Sequence, residues 1–228
     1  MSVLRSQNVP RSHTVTAGVV NQGDLLGQAM VADWFSRLIL RPLDKEAVLA
    51  NRFEDMLEFI ADLGDELGME AAAQAIMAFL REHAPEEIEK RLGHVYVVLF
   101  EGISGPEAVS LYERSYAGET RRQFQTPLVE ILSVLRELDA SVGAECREPP
   151  DHLAIELGIL AEALRQGNHA LSRHMARRLS RWVPAVKHAV SRTTRSEFYG
   201  AVFALIDAFV SGLASSLGGD WAEAEDYY

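Results

Sequence analysis

The sequence predicts an all-α fold, a single globular helical domain of roughly eight to ten helices. Two observations carry this reading: apolar residues recur at helical spacing along most of the chain, and proline and glycine punctuate the ends of those stretches. A third supports it, since no series of alternating β-branched strands with hairpin turns can be found. At 228 residues and 48% hydrophobic composition, the chain can bury a sizeable core.

The elements follow in chain order. Residues 1–24 are polar with two short apolar patches and no sustained period, which predicts a flexible N-terminal extension. Residues 25–217 form the helical body. Its first helix includes Trp34 to Leu40 and runs into Arg41-Pro42. Phe53, Leu57, Ile60 and Ala61 share one face, and Ala72, Ala75, Ile76, Phe79 and Leu80 share another, with Gly68 as the stop between them. The apolar run Val95 to Phe100 resembles a strand by composition, but its context favours helix. Leu128, Ile131, Leu132, Leu135, Leu138 and Val142 make the next stripe, with Thr126 as N-cap and Pro127 at the first helical position.

A polar turn, Glu148-Pro149-Pro150-Asp151-His152, then opens a helix whose face is Leu153, Leu157, Leu160, Ala161 and Leu164. Pro150 suits the first helical position, and Asp151 lies where the helix dipole favours negative charge. Leu171, Met175, Leu179, Trp182 and Val186 follow, interrupted by Pro184, which should kink or split that helix. Tyr199, Val202, Phe203, Ile206, Phe209, Val210, Leu213 and Leu217 form the last stripe, and residues 218–228 are an acidic tail.

Composition removes several classes. A single cysteine, Cys146, excludes an internal disulfide framework and cysteine-rich zinc or iron–sulfur sites. The apolar runs fall short of the roughly 18 residues that span a bilayer, and Ala17 to Val20 is too short for a signal-peptide core, so the expected location is the cytoplasm. A net charge of −11 argues against nucleic acid as the main partner. That charge is uneven: residues 45–90 carry 12 acids against 4 bases, whereas residues 165–195 carry 8 bases and no acid. The plainer reading is that the basic helix pairs with the acidic half; a ligand or partner surface is the sharper one.

Two segments carry candidate chemistry. One is the Asp151-His152 turn. The other is Tyr96 to Gly102, followed by Gly105-Pro106 and by Leu111-Tyr112-Glu113-Arg114-Ser115-Tyr116, where aromatics and carboxylates crowd a loop. As an enzyme, the chain would be a metal-dependent hydrolase using Asp151, His152 and Glu156. His152 and Glu156 are four apart, but a third ligand is hard to find: His169 and His174 do not share a face well, and no His-Glu-x-x-His motif or nucleophile elbow occurs. A scaffold that binds a nucleotide or pterin through its basic helix is a third reading, without a Gly-rich phosphate loop to support it.

In this order, aromatic-x-x-Leu-Phe-x-Gly at Tyr96 to Gly102, Tyr-Glu-x-x-Tyr at Tyr112 to Tyr116, and Glu-Pro-x-Asp-His-x-x-x-Glu-Leu at Glu148 to Leu157 resemble the TorD/DmsD family of redox-enzyme maturation chaperones. Trp182-Val183-Pro184 adds to the likeness, which covers roughly Leu25 to Leu213. The resemblance implies a cytoplasmic, non-catalytic, all-helical chaperone without a cofactor of its own. Its partners would be a molybdopterin oxidoreductase catalytic subunit in its apo form and that enzyme's twin-arginine signal peptide, held back from export until the cofactor is inserted. A guanine nucleotide or the molybdopterin cofactor would be a further ligand.

Carried over by position, Tyr96, Leu99 and Phe100 would line the peptide-binding surface, with Glu101 and Gly102 at its edge. Tyr112, Glu113 and Tyr116 would form its loop side, and Glu148, Pro149, Asp151, His152 and Glu156 its polar end. A twin-arginine peptide presents guanidinium groups beside an apolar stretch, so its receptor needs carboxylates beside an apolar surface. The chain departs from the family pattern at Ile103, where many relatives have proline, and at Val109-Ser110-Leu111, which replaces a Pro-Pro before the loop aromatic. The Tyr-Glu loop is closer to chaperones of dimethyl sulfide dehydrogenase-like enzymes. Thr120-Arg121-Arg122-Gln123-Phe124 imitates a twin-arginine signal, but sits in mid-chain without an apolar signal core.

Overall fold

The computed structural model describes residues 3–6, 22–102, 108–116, 126–193 and 197–218. Within them the chain is helical, as its periodicity predicts. The elements are β1 (Leu4–Ser6), α1 (Gln22–Leu40), α2 (Lys45–Ala50), α3 (Glu54–Glu66), α4 (Glu70–Glu82), α5 (Pro85–Phe100), a 3₁₀ turn (Glu113–Ser115), α6 (Thr126–Glu137), β2 (Ala140–Val142), α7 (Leu153–Arg165), α8 (His169–Ser191) and α9 (Glu197–Ser216). Ile103, Gly105-Pro106, the Arg121-Arg122 sequence, most of the expected N-terminal extension and all but the first residue of the acidic tail lie outside the described residues. Two compact units contain the chain: Met1–Leu40 with Tyr112–Leu179 and Ser216–Tyr228, and Arg41–Leu111 with Ser180–Ser215.

The first unit is built around α7. Every residue from Asp151 to Ala161 is buried, so this helix has no solvent face along its first two turns. Helix α1 packs along it, and the Ser36 hydroxyl donates to the Ala154 carbonyl at 2.7 Å. Antiparallel pairing sets Leu4 of β1 opposite Val142 of β2, and Val3 and Leu4 are buried. This differs from two expectations, a wholly flexible extension and a helical stripe that continues to Val142. The second has a local reason, since α6 stops at Glu137 and Asp139 takes a left-handed φ of 50°, so that the reversed chain becomes a short strand; the first has a distant one, the pairing of that strand with Leu4–Ser6.

The start of α7 also differs from the sequence reading. Pro150 and Asp151 precede the helix, and His152 is its N-cap, extended at φ −78° and ψ 136°. The cause is pairing across the chain. His152 forms an isolated antiparallel bridge with Tyr112, and the Glu113 N–H donates to the Asp151 carbonyl at 3.0 Å, which requires extended backbone here. The His152 Nδ1 accepts the Ala154 N–H at 3.1 Å, so the neutral ring carries its proton on Nε2. Burial pushes the imidazole down to about 4, against the opposing pull of Glu148.

In the second unit, α3 ends as the sequence suggests. Gly68 takes φ 63°, its N–H reaches the Asp65 carbonyl at 3.1 Å, and the Met69 N–H reaches Gly64 at 2.7 Å, the paired bonds of a Schellman cap. Leu57, Ile60 and Leu63 are buried, but Phe53, expected on that face, is the extended residue before the helix and is 67% exposed. Gly64 faces α4 so closely that a Cβ there would lie 2.4 Å from the Ala73 Cβ. Helix α8 runs through Pro184 without dividing, and that residue is exposed.

Helix α9 is long and apolar enough to cross a membrane, a property the sequence reading missed because Asp207, glycines and serines interrupt its apolar run. Its aromatic residues and its larger aliphatic ones from Phe198 to Leu213 are buried, and Asp207 pairs with Lys187 of α8. It is a core helix. The charge segments also pair differently from the expectation. Lys45 meets Glu86 at 2.6 Å and Arg81 approaches Glu54 at 3.8 Å inside the acidic segment, whereas Arg165, Arg178 and Lys187 of the basic one reach Asp33, Glu113, Glu130, Glu156, Glu162 and Asp207.

Two outcomes follow. Gly64→Ala should lower stability by about 1–2 kcal/mol in urea denaturation, the crowding cost exceeding the roughly 1 kcal/mol that alanine gains in helix propensity; an unchanged or higher midpoint would contradict the close approach. The depressed His152 value means that the unfolded chain binds a proton first as pH falls. Its contribution is therefore complete above about 6.5 and is lost between about 6.5 and about 4, on the order of 3 kcal/mol. His152→Asn, which keeps a capping side chain but does not titrate, should flatten the stability profile across that window; a slope equal to wild type would refute the assignment.

Candidate functional site

The first unit assembles most of the predicted polar site around the paired backbones of Tyr112 and His152. The two rings meet edge to face at 5.3 Å, and the Tyr112 hydroxyl donates to Glu148 Oε2 at 2.7 Å. Burial, then the Glu148 bond and charge, push the phenol up to about 12, so it remains a donor throughout the physiological range. The Arg114 guanidinium lies over the Tyr112 ring, 4.8 Å from its centroid, and its Nη1 is 3.3 Å from Asp151 Oδ1. Tyr112, Glu148 and Pro149 are half-buried, and Tyr116 is half-buried with its phenol pushed up to about 12 by desolvation.

Below this surface lies a cluster of charge whose inner members, Glu156 and Arg178, have little access to water. Glu156 points from the buried helix α7, its Oε2 3.7 Å from Nε of Arg178, which comes from α8 and is 6% exposed. Arg178 also binds Glu113 through Nη2 and Glu130 through Nη1, the latter at 2.6 Å. Burial opposes the charge of this guanidinium, but Glu156, Glu113 and Glu130 outweigh it and hold the group more firmly protonated. Glu113 is pushed the other way. Desolvation raises its carboxyl above the usual range despite Arg178.

The second unit holds Tyr96, Leu99, Phe100, Glu101 and Gly102 at the end of α5. Tyr96 and Leu99 are buried, Phe100 is half-buried, and Glu101 and Gly102 are exposed. Tyr96 and Phe100 join an aromatic cluster with Tyr199 and Phe203 of α9, with centroids 5.1–6.1 Å apart. Gly102 ends α5 at φ 69°, and the Leu99 carbonyl accepts the Val109 N–H at 2.6 Å, which ties the chain beyond the helix back to it.

The structure brings the predicted polar residues of the first unit together, and sequence reasoning misses the cations among them. Asp151 and Glu156, read as carboxylates for an incoming partner, are buried and face Arg114 and Arg178 of the same chain. A signal for Arg178 was present: it falls at i+7 in the apolar stripe of Leu171, Met175 and Trp182, where a charge demands a partner. Arg114 gave none beyond its place in the loop. Among the described residues, no group of three His, Cys, Asp or Glu side chains is placed to hold a metal. His152 and Glu156, the ligand pair of the hydrolase reading, serve as helix cap and as counter-ion.

Comparison with known proteins agrees with this architecture. The family described as nitrate reductase delta subunit matches residues 56–188. A chaperone protein TorD from Photobacterium profundum is 24% identical over 190 residues, which cover 77% of this chain and 87% of that protein. A chaperone protein TorD from Vibrio parahaemolyticus is 23% identical over 189 residues with the same coverage. Together with the order of motifs along an all-helical fold, these matches show that the chain belongs to the nitrate reductase delta subunit family, that of the TorD/DmsD redox-enzyme maturation chaperones.

Proposed function

We propose that the protein is a cytoplasmic chaperone for a molybdopterin oxidoreductase, binding the twin-arginine signal peptide and the apo form of that enzyme until its cofactor is in place. The observation that carries the reading is the match to chaperones named TorD across 87% of their length. A chaperone of this kind assists maturation without catalysing a reaction, and the metal-dependent hydrolase is not favoured.

The binding role divides by accessibility. In the first unit, Tyr112, Tyr116, Glu148 and Pro149 are the contact residues, with Glu148 offering a charge-assisted bond to a guanidinium, while Glu113 is held beneath them by Arg178. In the second, Phe100, Glu101 and Gly102 meet the client. Buried Tyr96, Leu99, His152 and Glu156 hold these contact residues in place rather than touching the peptide, and Asp151 lies behind Arg114. The Tyr112-Glu113 form of the loop favours a client of the dimethyl sulfide dehydrogenase kind. A guanine nucleotide or the molybdopterin cofactor is a further ligand implied by the family likeness, with no residues assigned to it.

Titration calorimetry with a synthetic twin-arginine signal peptide tests the reading. Wild type should bind at about micromolar strength, near −8 kcal/mol. Glu148→Gln should weaken binding by roughly tenfold, the worth of one charge-assisted contact of about 1.5 kcal/mol, while the thermal midpoint stays near that of wild type. Absence of binding by the wild-type chain would overturn the function, and undiminished affinity in Glu148→Gln would remove that residue from the site.

A further inference from the structure

Asp151 presents an unusual combination. Its carboxylate is 1% exposed, and neither oxygen takes a hydrogen bond among the described residues. Its one described cationic neighbour is Arg114, at 3.3 Å, beyond the roughly 2.7–2.9 Å of a charge-assisted hydrogen bond. A buried carboxylate normally fills its lone pairs with donors, and the bidentate fork of a guanidinium is the group that fills two at once.

The arginine beside it is equally telling. Arg114 is 37% exposed, comes from the short 3₁₀ turn, and rests on the Tyr112 ring instead of closing on the acid. Carboxylate, aromatic face and the nearby Glu148 together make a receptor for one guanidinium, and a side chain of the protein's own loop lies across it. Arg178 is a contrast within the same unit: it is 6% exposed and is bound by Glu113 and Glu130, which makes it part of the framework.

We infer that Arg114 is an internal placeholder: it occupies a guanidinium site made by Asp151 and the face of Tyr112, and an arginine of the client displaces it on binding. Asp151 is reached only when Arg114 swings away, so the site opens in exchange for a better-fitting guanidinium. The client in this inference rests on the proposed function; the site itself does not. Displacement costs affinity and adds selectivity, because a lysine ammonium cannot supply the planar fork or stack on the ring to the same extent.

The test compares wild type with Arg114→Ala, using arginine amide as probe and lysine amide as control, followed by calorimetry and by chemical shifts of the Tyr112 ring. Arg114→Ala should bind arginine amide at least fivefold more tightly than wild type, with the Tyr112 signals shifting, and lysine amide should show no such gain. Adding Asp151→Asn should abolish the gain. If Arg114→Ala does not fold, Arg114→Met, which keeps an apolar stem over the ring, is judged by the same comparison.

Equal or weaker binding of arginine amide by the folded variant overturns the placeholder, and an equal gain for lysine amide overturns its guanidinium selectivity. With the twin-arginine peptide, the variant should likewise bind several-fold more tightly. A peptide that binds neither protein defeats the proposed function, while the arginine amide comparison still decides whether Arg114 covers a site.

Discussion

A carboxylate on a helix with no solvent face must have a cation brought to it, and Glu156 imposes that condition on the whole first unit. Helix α7 is buried from its cap to Ala161, so the charge of Glu156 cannot reach water. Arg178 answers it from α8, and a guanidinium carries five donors, more than one carboxylate can use. The surplus recruits Glu113 from the 3₁₀ turn and Glu130 from α6. One buried acid thereby ties two helices and a loop to α7. Such a cluster adds little net stability over an apolar equivalent, because desolvation offsets most of the attraction, but removing a single member leaves an uncompensated charge. Its effect is to fix which loop sits at the start of α7.

That placement explains the form of the Asp151-His152 turn. Held by Glu113 on one side and by bridge pairing at Tyr112 on the other, the chain is kept extended until Leu153, and His152 becomes the cap. A neutral, buried imidazole suits this position, since its Nδ1 must accept an N–H, which a protonated ring cannot do. The polar surface of Tyr112 and Glu148 is then the outer layer of a motif whose inner layer is structural. Residues that resemble a binding site in sequence divide, in three dimensions, into those that meet solvent and those that hold them there.

Much of this was legible beforehand, and the exceptions share a cause. Helices α3, α4 and α6 to α9 follow from apolar spacing, and the Gly68 stop from its place after a helix, because these depend on near neighbours. The β1–β2 pair was not legible. Three residues at Leu4 gain their order from three residues more than 130 positions away, and no local pattern records that. The same holds for the start of α7: Pro-Pro-Asp reads as a first helical turn until Tyr112 pairs with the backbone beside it. For the site, the acids and aromatics are legible in the sequence, but which acids are already answered is not, apart from the placement of Arg178 in an apolar stripe, since Arg114 and Arg178 reach them through the fold.

An answered acid is not thereby removed from recognition. The two internal pairs differ in the way that matters for exchange. Arg178 is shielded and bound by several carboxylates, so its release would expose uncompensated charge in the core. Arg114 is partly solvated, and freeing it returns a flexible side chain to water while the incoming guanidinium takes over the charge of Asp151. The net change is one cation for another at a preformed site, which avoids the desolvation cost of pairing a fresh acid and base. A receptor arranged this way leaves no buried charge uncompensated in either state, and it discriminates by geometry, since only a ligand that fills both oxygens of Asp151 improves on the side chain it displaces.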